Sequence, residues 1–271
     1  MKNERMKKLK NGLKKVLWFF IFPVLCAVVL RVFFFEMYKI PSSSMEPTLI
    51  PGDYIMVNKM RYGARLIKFG KLHRENKLEY IRTPGWGSIK KGDVMVFNWP
   101  NYGSLYGKKP DMFGTFVIKR CFGLPGDTVV IKNDGLKNEW MEIPEKQNNL
   151  FPFDTTLHWT VSYYGPLFVP GKNKSIRLTP QNARHYKDVM MYEGYKIEIR
   201  NDSVFLNKKY STTYTFTHNF YFMKGDNFYG SQDSRYWGFV PEENIIGKAV
   251  IVLFSNGEEG FMMKRFFKLI H

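Results

Sequence analysis

Thr115-Phe-Val-Ile-Lys-Arg-Cys-Phe-Gly-Leu-Pro-Gly-Asp127 is a run of β-favouring residues closed by a Gly/Pro turn. Side chains alternate faces along a strand, so Lys119 shares a face with Val117 and Cys121, while Arg120 points the other way with Ile118 and Phe122. The punctuation recurs. Gly52-Asp53 precedes the alternating run Tyr54-Ile-Met-Val-Asn-Lys59, and Lys91-Gly-Asp93 precedes Val94-Met-Val-Phe-Asn-Trp99, which Pro100 closes. Tyr221-Phe-Met-Lys224 and residues 245–254 read as further strands, and residues 195–200 with 203–206 as a hairpin about Asn201-Asp202. Strands separated by such turns predict a mostly β, antiparallel architecture.

Two readings of Lys119 are open on this stretch alone: a cation snorkelling from a strand edge, or a base. The second follows because apolar company disfavours the ammonium form and lowers its pKa. A serine is the partner such a base needs, and Ile40-Pro-Ser-Ser-Ser-Met-Glu-Pro-Thr-Leu-Ile50 offers three. Ser43 with Glu46 has capping-box spacing, which would start a helix. Pro47 has no amide and pushes Glu46 towards an extended conformation, so the segment is expected to be extended, with an exposed hydroxyl and no helix.

The third stretch is Gly225-Asp-Asn-Phe-Tyr-Gly-Ser-Gln-Asp-Ser-Arg235. Asp233 and Arg235, two apart, would share a face of an extended segment and pair locally. With all three stretches present in order, the chain resembles the bacterial type I signal peptidases, membrane-anchored serine proteases that remove signal peptides. The resemblance rests on residues 41–49 with Gly52-Asp53, residues 119–127 and residues 225–235, and is weak between about 133 and 220. It implies a Ser-Lys dyad of Ser44 and Lys119, and an oxyanion site made by the Ser42 hydroxyl and the Ser44 amide. It further implies that Ser231 hydrogen-bonds the lysine, and that Met45, Gly225, Asp226, Asp233 and Arg235 form the scaffold. It implies substrates with small side chains at the first and third positions before the cut. Two positions depart from the family's pattern: Ser43 stands where many members carry glycine, and Phe228-Tyr229 where they often carry Arg-Asp.

Residues 1–15 carry seven Lys/Arg and a single acid, Glu4, and residues 16–35 are almost wholly apolar apart from Arg31. Such a run just reaches across a bilayer, with Arg31 near one end able to snorkel. By the positive-inside rule the leader stays cytoplasmic and the remainder lies on the extracytoplasmic face of the bacterial cytoplasmic membrane. A cleaved leader would want small residues after the core, and Arg31-Val-Phe-Phe-Phe-Glu36 is too bulky. Ser44 follows within ten residues of this anchor, which keeps it near the lipid surface.

The formal net charge of +17 with 17% aromatic residues fits a surface working beside anionic lipid. No helix-turn-helix, RNP or zinc-finger pattern accompanies the charge, so no nucleic-acid partner is expected. The five histidines, His73, His158, His185, His218 and His271, lack ligand spacing, and Cys26 and Cys121 sit in different apolar segments; no metal, cofactor or disulfide is expected. The expected organisation is a leader (1–15), one transmembrane helix (16–35), an antiparallel β catalytic domain (36–132 and 220–271) and a variable β-rich insertion (133–219). Residues 61–92 are expected to be a basic loop excursion. The tail Phe261-Met-Met-Lys-Arg-Phe-Phe-Lys-Leu-Ile270 reads equally as a membrane-surface segment or as a buried element. Two rivals share parts of this pattern. A self-cleaving repressor-type peptidase has the chemistry but not the anchor, and a membrane-anchored binding protein would carry an inactive dyad.

Overall fold

In the computed structural model, which describes residues 2–67, 80–100, 116–132, 150–258 and 260–271, the side chains of 2–13, 67 and 80 excepted, leader and apolar run form one helix. That helix, α1 (Lys2–Val29), passes through Pro23 and ends in a π-helical turn over Leu30–Phe34. The segment Lys14–Phe34 is long and apolar enough to cross a membrane, and its side chains are exposed on the protein.

The helix runs without a loop into β1 (Phe35–Lys39), followed by β2 (Asp53–Asn58). A short hairpin of β3 (Arg65–Ile67) and β4 (Tyr80–Arg82) stands where a loop was expected; residues 68–79 of that loop lie outside the described residues. The hairpin is held by arginines. Arg65 and Arg82 donate to backbone carbonyls of residues 242–245, contacts between positions 160 to 179 apart that no local pattern announces. The chain continues with β5 (Val94–Asn98), β6 (Phe116–Gly123) and β7 (Thr128–Lys132), which pairs with β8 (Tyr163–Phe168).

Residues 133–149 of the expected insertion lie outside the described residues. The rest holds short strands and two helices: β9 (Ser175–Arg177), α2 (Pro180–His185), α3 (Lys187–Tyr192), β10 (Ile197–Arg200), β11 (Ser203–Leu206), β12 (Lys209–Tyr210) and β13 (Thr213–Thr215). The hairpin about Asn201-Asp202 is present. Arg200 pairs with Ser203, and both turn residues take positive φ, as a two-residue hairpin loop of the right twist requires. After β14 (Phe220–Lys224) come α4 (Ser234–Trp237), β15 (Val240–Pro241), the long β16 (Ile245–Gly257), β17 (Gly260–Phe261) and β18 (Lys268–Leu269).

The main sheet runs β1-β2-β16-β5-β6-β14-β15, and all the pairings along it are antiparallel. The fold is thus mostly antiparallel β with one N-terminal apolar helix. Register shifts along β16 bend the strand, so it pairs with β5 at one end and with β2, β17 and β18 further on. Alternation decides the two faces. Val94, Val96, Ile55, Val57 and Val252 form one apolar cluster, while Met95, Phe97, Cys121 and Met223 form another. Phe220 and Phe222 of β14 face a third, built with Tyr164, Phe216 and Phe239, so one strand knits the sheet to the segment before it. Each of these two phenylalanines is fully buried, a contribution of about 1.5–3 kcal/mol apiece.

The repeated Gly-Asp turns are a single device. Ile50-Pro-Gly-Asp53, Lys90-Lys-Gly-Asp93 and Leu124-Pro-Gly-Asp127 each close with the aspartate amide on the first residue's carbonyl, at 3.0 to 3.1 Å. Gly52, Gly92 and Gly126 have φ near +90°, the requirement at the third position of a type II turn. Each aspartate side chain accepts the first residue's amide and then a cation: Arg265 on Asp53, Lys248 on Asp93, Lys91 on Asp127. The tail divides between its two readings. Ile270 is buried in the core, whereas Phe261, Met263, Phe266, Phe267 and Leu269 are exposed.

Candidate active site

Lys119 lies on β6, an interior strand between β5 and β14, with Met95 as its cross-strand partner. Its side chain is only 5% exposed. Burial lowers its pKa from the ordinary 10.5 to about 8, although the nearby Asp233 and Asp226 carboxylates pull it back up. The Lys119 Nζ donates to Ser44 Oγ at 2.6 Å, so two residues 75 apart in sequence meet. This excludes the snorkelling reading.

The serine turn differs from the expected extended segment. Ser42 is extended (φ −138°, ψ 159°), but Ser43–Met45 make one turn of 3-10 helix, closed by the Glu46 amide on Ser43 O at 3.0 Å. Pro47 acts as anticipated one residue later. Glu46 is extended (φ −63°, ψ 142°), and the helix stops. Ser43 has no positive φ, so the absence of glycine there costs no backbone strain. Met45 and Leu49, both buried, fasten the turn into the core, and Ser42 Oγ lies 3.4 Å from Ser44 Oγ.

Asp233 and Arg235 pair, though not along a strand. Asp233 caps α4, accepting the Arg235 amide, and the Arg235 guanidinium returns to both carboxylate oxygens at 2.9 and 2.8 Å. Both residues are fully buried, and Asp233 also accepts the Gly225 amide at 3.0 Å. Ser231 is buried beside Gly225, but its hydroxyl has no hydrogen-bond partner among the described residues. The expected bond from Ser231 to Lys119 is therefore not made; the Lys119 Nζ donates to Ser44. Phe228, in place of the family's arginine, lies 4.8 Å from both the Lys224 Nζ and the Arg235 Cζ, a ring face serving two cations.

Three contributors escaped the sequence reading. The Asn227 amide donates to Ser44 O and its side chain to Ser43 O, each at 3.2 Å, tying the 225–235 segment directly to the serine turn. Arg120 grips Asp226 through two bonds of 2.7 and 2.6 Å and also donates to Gly92 O and His271 O. Its place opposite Lys119 on β6 was legible; its partners were not. Gln232 joins Tyr38, Ile40, Phe116, Val117 and Ile118 in lining a cleft of about 420 Å³ that opens over Ser44 and Lys119.

Gly225 is sterically fixed. A Cβ there would stand 2.0 Å from Ser231 Oγ and 2.6 Å from Ser44 O. Gly225→Ala is expected to leave the sheet folded and lower kcat/KM about a hundredfold, since the backbone that carries the Ser44 hydroxyl must shift. Steady-state kinetics beside circular dichroism check this.

A serine hydroxyl meets a buried lysine at the floor of a β-walled cleft, an arrangement of the kind serine peptidases with a lysine base use. Residues 13–254 match the family described as signal peptidase, peptidase S26. The chain is 34% identical over 246 residues to Signal peptidase I of Pseudomonas aeruginosa, covering 86% of this chain and 70% of the relative. It is 31% identical over 256 residues to that of Buchnera aphidicola subsp. Baizongia pistaciae (85% and 74%), and 29% over 252 residues to that of Aquifex aeolicus (86% and 80%). The chain belongs to the signal peptidase family, peptidase S26.

Proposed function

We propose that this chain cleaves N-terminal signal peptides from exported preproteins, with Ser44 as nucleophile and Lys119 as general base. The 2.6 Å contact between Lys119 Nζ and Ser44 Oγ in a desolvated setting carries this reading. Neutral Lys119 takes the Ser44 proton as Oγ attacks the scissile carbonyl; the ammonium so formed then protonates the departing amine, and the acyl group is left on Ser44. The Ser42 hydroxyl and Ser44 amide receive the oxyanion. Met45, Gly225, Asp226, Asp233 and Arg235 hold these groups in register, and Ser231 is free to hydrogen-bond the Lys119 amine once Oγ has acylated. Tyr38, Phe116 and Ile40 narrow the cleft around an extended substrate with small side chains near the cut.

On this reading α1 anchors the enzyme in the bacterial cytoplasmic membrane as a single pass. The leader (1–15) is cytoplasmic and the catalytic β domain (36–132 and 220–271) extracytoplasmic, with residues 133–219 as an insertion carried on it. The substrate's signal peptide lies in the same bilayer.

The test is cleavage of a preprotein ending in Ala-x-Ala by the full chain in lipid vesicles, across pH. Because the reactive lysine is neutral and titrates at about 8, kcat/KM is expected to climb roughly tenfold per pH unit below that value and to level off above it. A profile flat on the acid side would remove Lys119 as the base.

A further inference from the structure

The join between helix and sheet contains a buried charge that the reaction does not use. Lys59, just past the end of β2, is 9% exposed, and its Nζ donates to Arg31 O at 3.0 Å and to Glu36 Oε2 at 2.6 Å. Its amide donates to Phe34 O at 2.8 Å. Arg31 and Phe34 belong to the π-helical turn that finishes the apolar helix, and Glu36 is the second residue of β1.

Carbonyls at a helix C-terminus want donors, and the helix dipole favours a cation there. The π-helical turn that follows α1 takes its cation from 28 residues further along the chain, just past the end of β2. The bond therefore caps the helix and also fixes the angle at which it leaves the sheet. The connection continues towards the cleft. Tyr38, two residues beyond Glu36 on the same face of β1, has its pKa raised by burial and then by the neighbouring Glu36 carboxylate. The Tyr38 ring packs edge-on against Phe116 at 5.1 Å, in the cleft wall.

We infer that Lys59 is a positioning residue that sets the catalytic cleft at a fixed angle to the membrane helix, so that a substrate held in the same bilayer meets Ser44. The inference rests on the proposed reading of α1 as anchor and of the chain as a signal-peptide endopeptidase. It assigns Lys59 to presentation of membrane-held substrate, and the chemical step does not pass through it.

The experiment uses the full chain in vesicles of phosphatidylethanolamine and phosphatidylglycerol, with two substrates. One is a preprotein inserted through its signal peptide; the other is a short soluble peptide with the same Ala-x-Ala site. For Lys59→Met, kcat/KM on the inserted preprotein is expected to fall about tenfold, as a small misplacement of reacting groups does, with turnover of the soluble peptide held within about twofold. Lys59→Arg, which keeps a cation and its donors, is expected to restore the preprotein rate. The double variant Lys59→Met/Glu36→Gln removes the half-buried carboxylate left alone by the first change, and is expected to show the same split between substrates even where Lys59→Met folds poorly. Equal rates on both substrates, or a parallel fall on both in the double variant, would overturn the role of Lys59 while leaving the endopeptidase reading intact. Failure of the wild-type chain to cleave either substrate would overturn that reading and this inference together.

Discussion

Lys119→Met is expected to abolish turnover, by at least about a thousandfold, while making the protein more stable at neutral pH. The loss follows from removing the only base within reach of the Ser44 hydroxyl among the described residues, and Ser44→Ala is expected to reach the same floor. The gain follows from the same burial that lowers the lysine's pKa. Holding an ammonium where it titrates at about 8 instead of 10.5 costs the native state roughly 3 kcal/mol, and methionine fills a similar space without charge. The sign is fixed by proton binding. Between about 8 and 10.5 the unfolded chain holds the proton and the native chain does not, so wild-type stability rises with pH in that window. Below about 8 both states are protonated and the full cost is present. The stability difference between Lys119→Met and wild type should therefore be largest below pH 8 and shrink to nothing above 10.5. Denaturant melts of both proteins at pH 7 and pH 10.5 check this, and a variant no more stable than wild type at pH 7 would show that the lysine is not desolvated.

Asp233→Ala is expected to destabilise the protein by about 3–5 kcal/mol, the largest single stability loss anticipated here, because it strands a buried guanidinium. Asp233 accepts from the Arg235 amide and guanidinium and from Gly225, and neither member of the pair touches solvent. Adding Arg235→Met should recover much of the stability, since no buried charge then remains, but not activity, because the Gly225 amide still lacks the acceptor that holds it against the serine turn. Asp233→Asn separates the electrostatic contribution. It keeps an oxygen acceptor and removes the charge that favours the Lys119 ammonium, so its pH profile should shift to lower pH. Thermal melts, with pH–rate profiles for the variants that fold, check the three; a stable and active Asp233→Ala would show that the pair is dispensable.

Relations within a few residues were legible in the sequence. The Gly-Asp turns, the hairpin at Asn201-Asp202 and the alternation that puts Lys119 beside Val117 and Cys121 all follow from backbone preferences of neighbours, which carry over unchanged into the folded chain. The meeting of Ser44 with Lys119 was anticipated through family motifs, since no local rule joins positions 75 apart. Where local rules were pressed further they erred. Asp233 and Arg235 pair through a helix start rather than a strand face, and the serine turn coils for one 3-10 turn before Pro47 stops it.

Sequence alone determined the strand-and-turn grammar and the apolar helix, because each is written in residue type and spacing, whereas the Ser44–Lys119 pair was anticipated only through the family's motifs. Tertiary structure alone decided how far the Lys119 pKa falls, that Ser231 has no hydrogen-bond partner among the described residues, that Asn227 ties down the serine turn while Arg120 grips Asp226, and that Lys59 joins helix to sheet. The physical reason is common to these. Desolvation and hydrogen bonding between distant segments depend on which surfaces the folded sheet brings together, and those distances do not exist until the chain has folded.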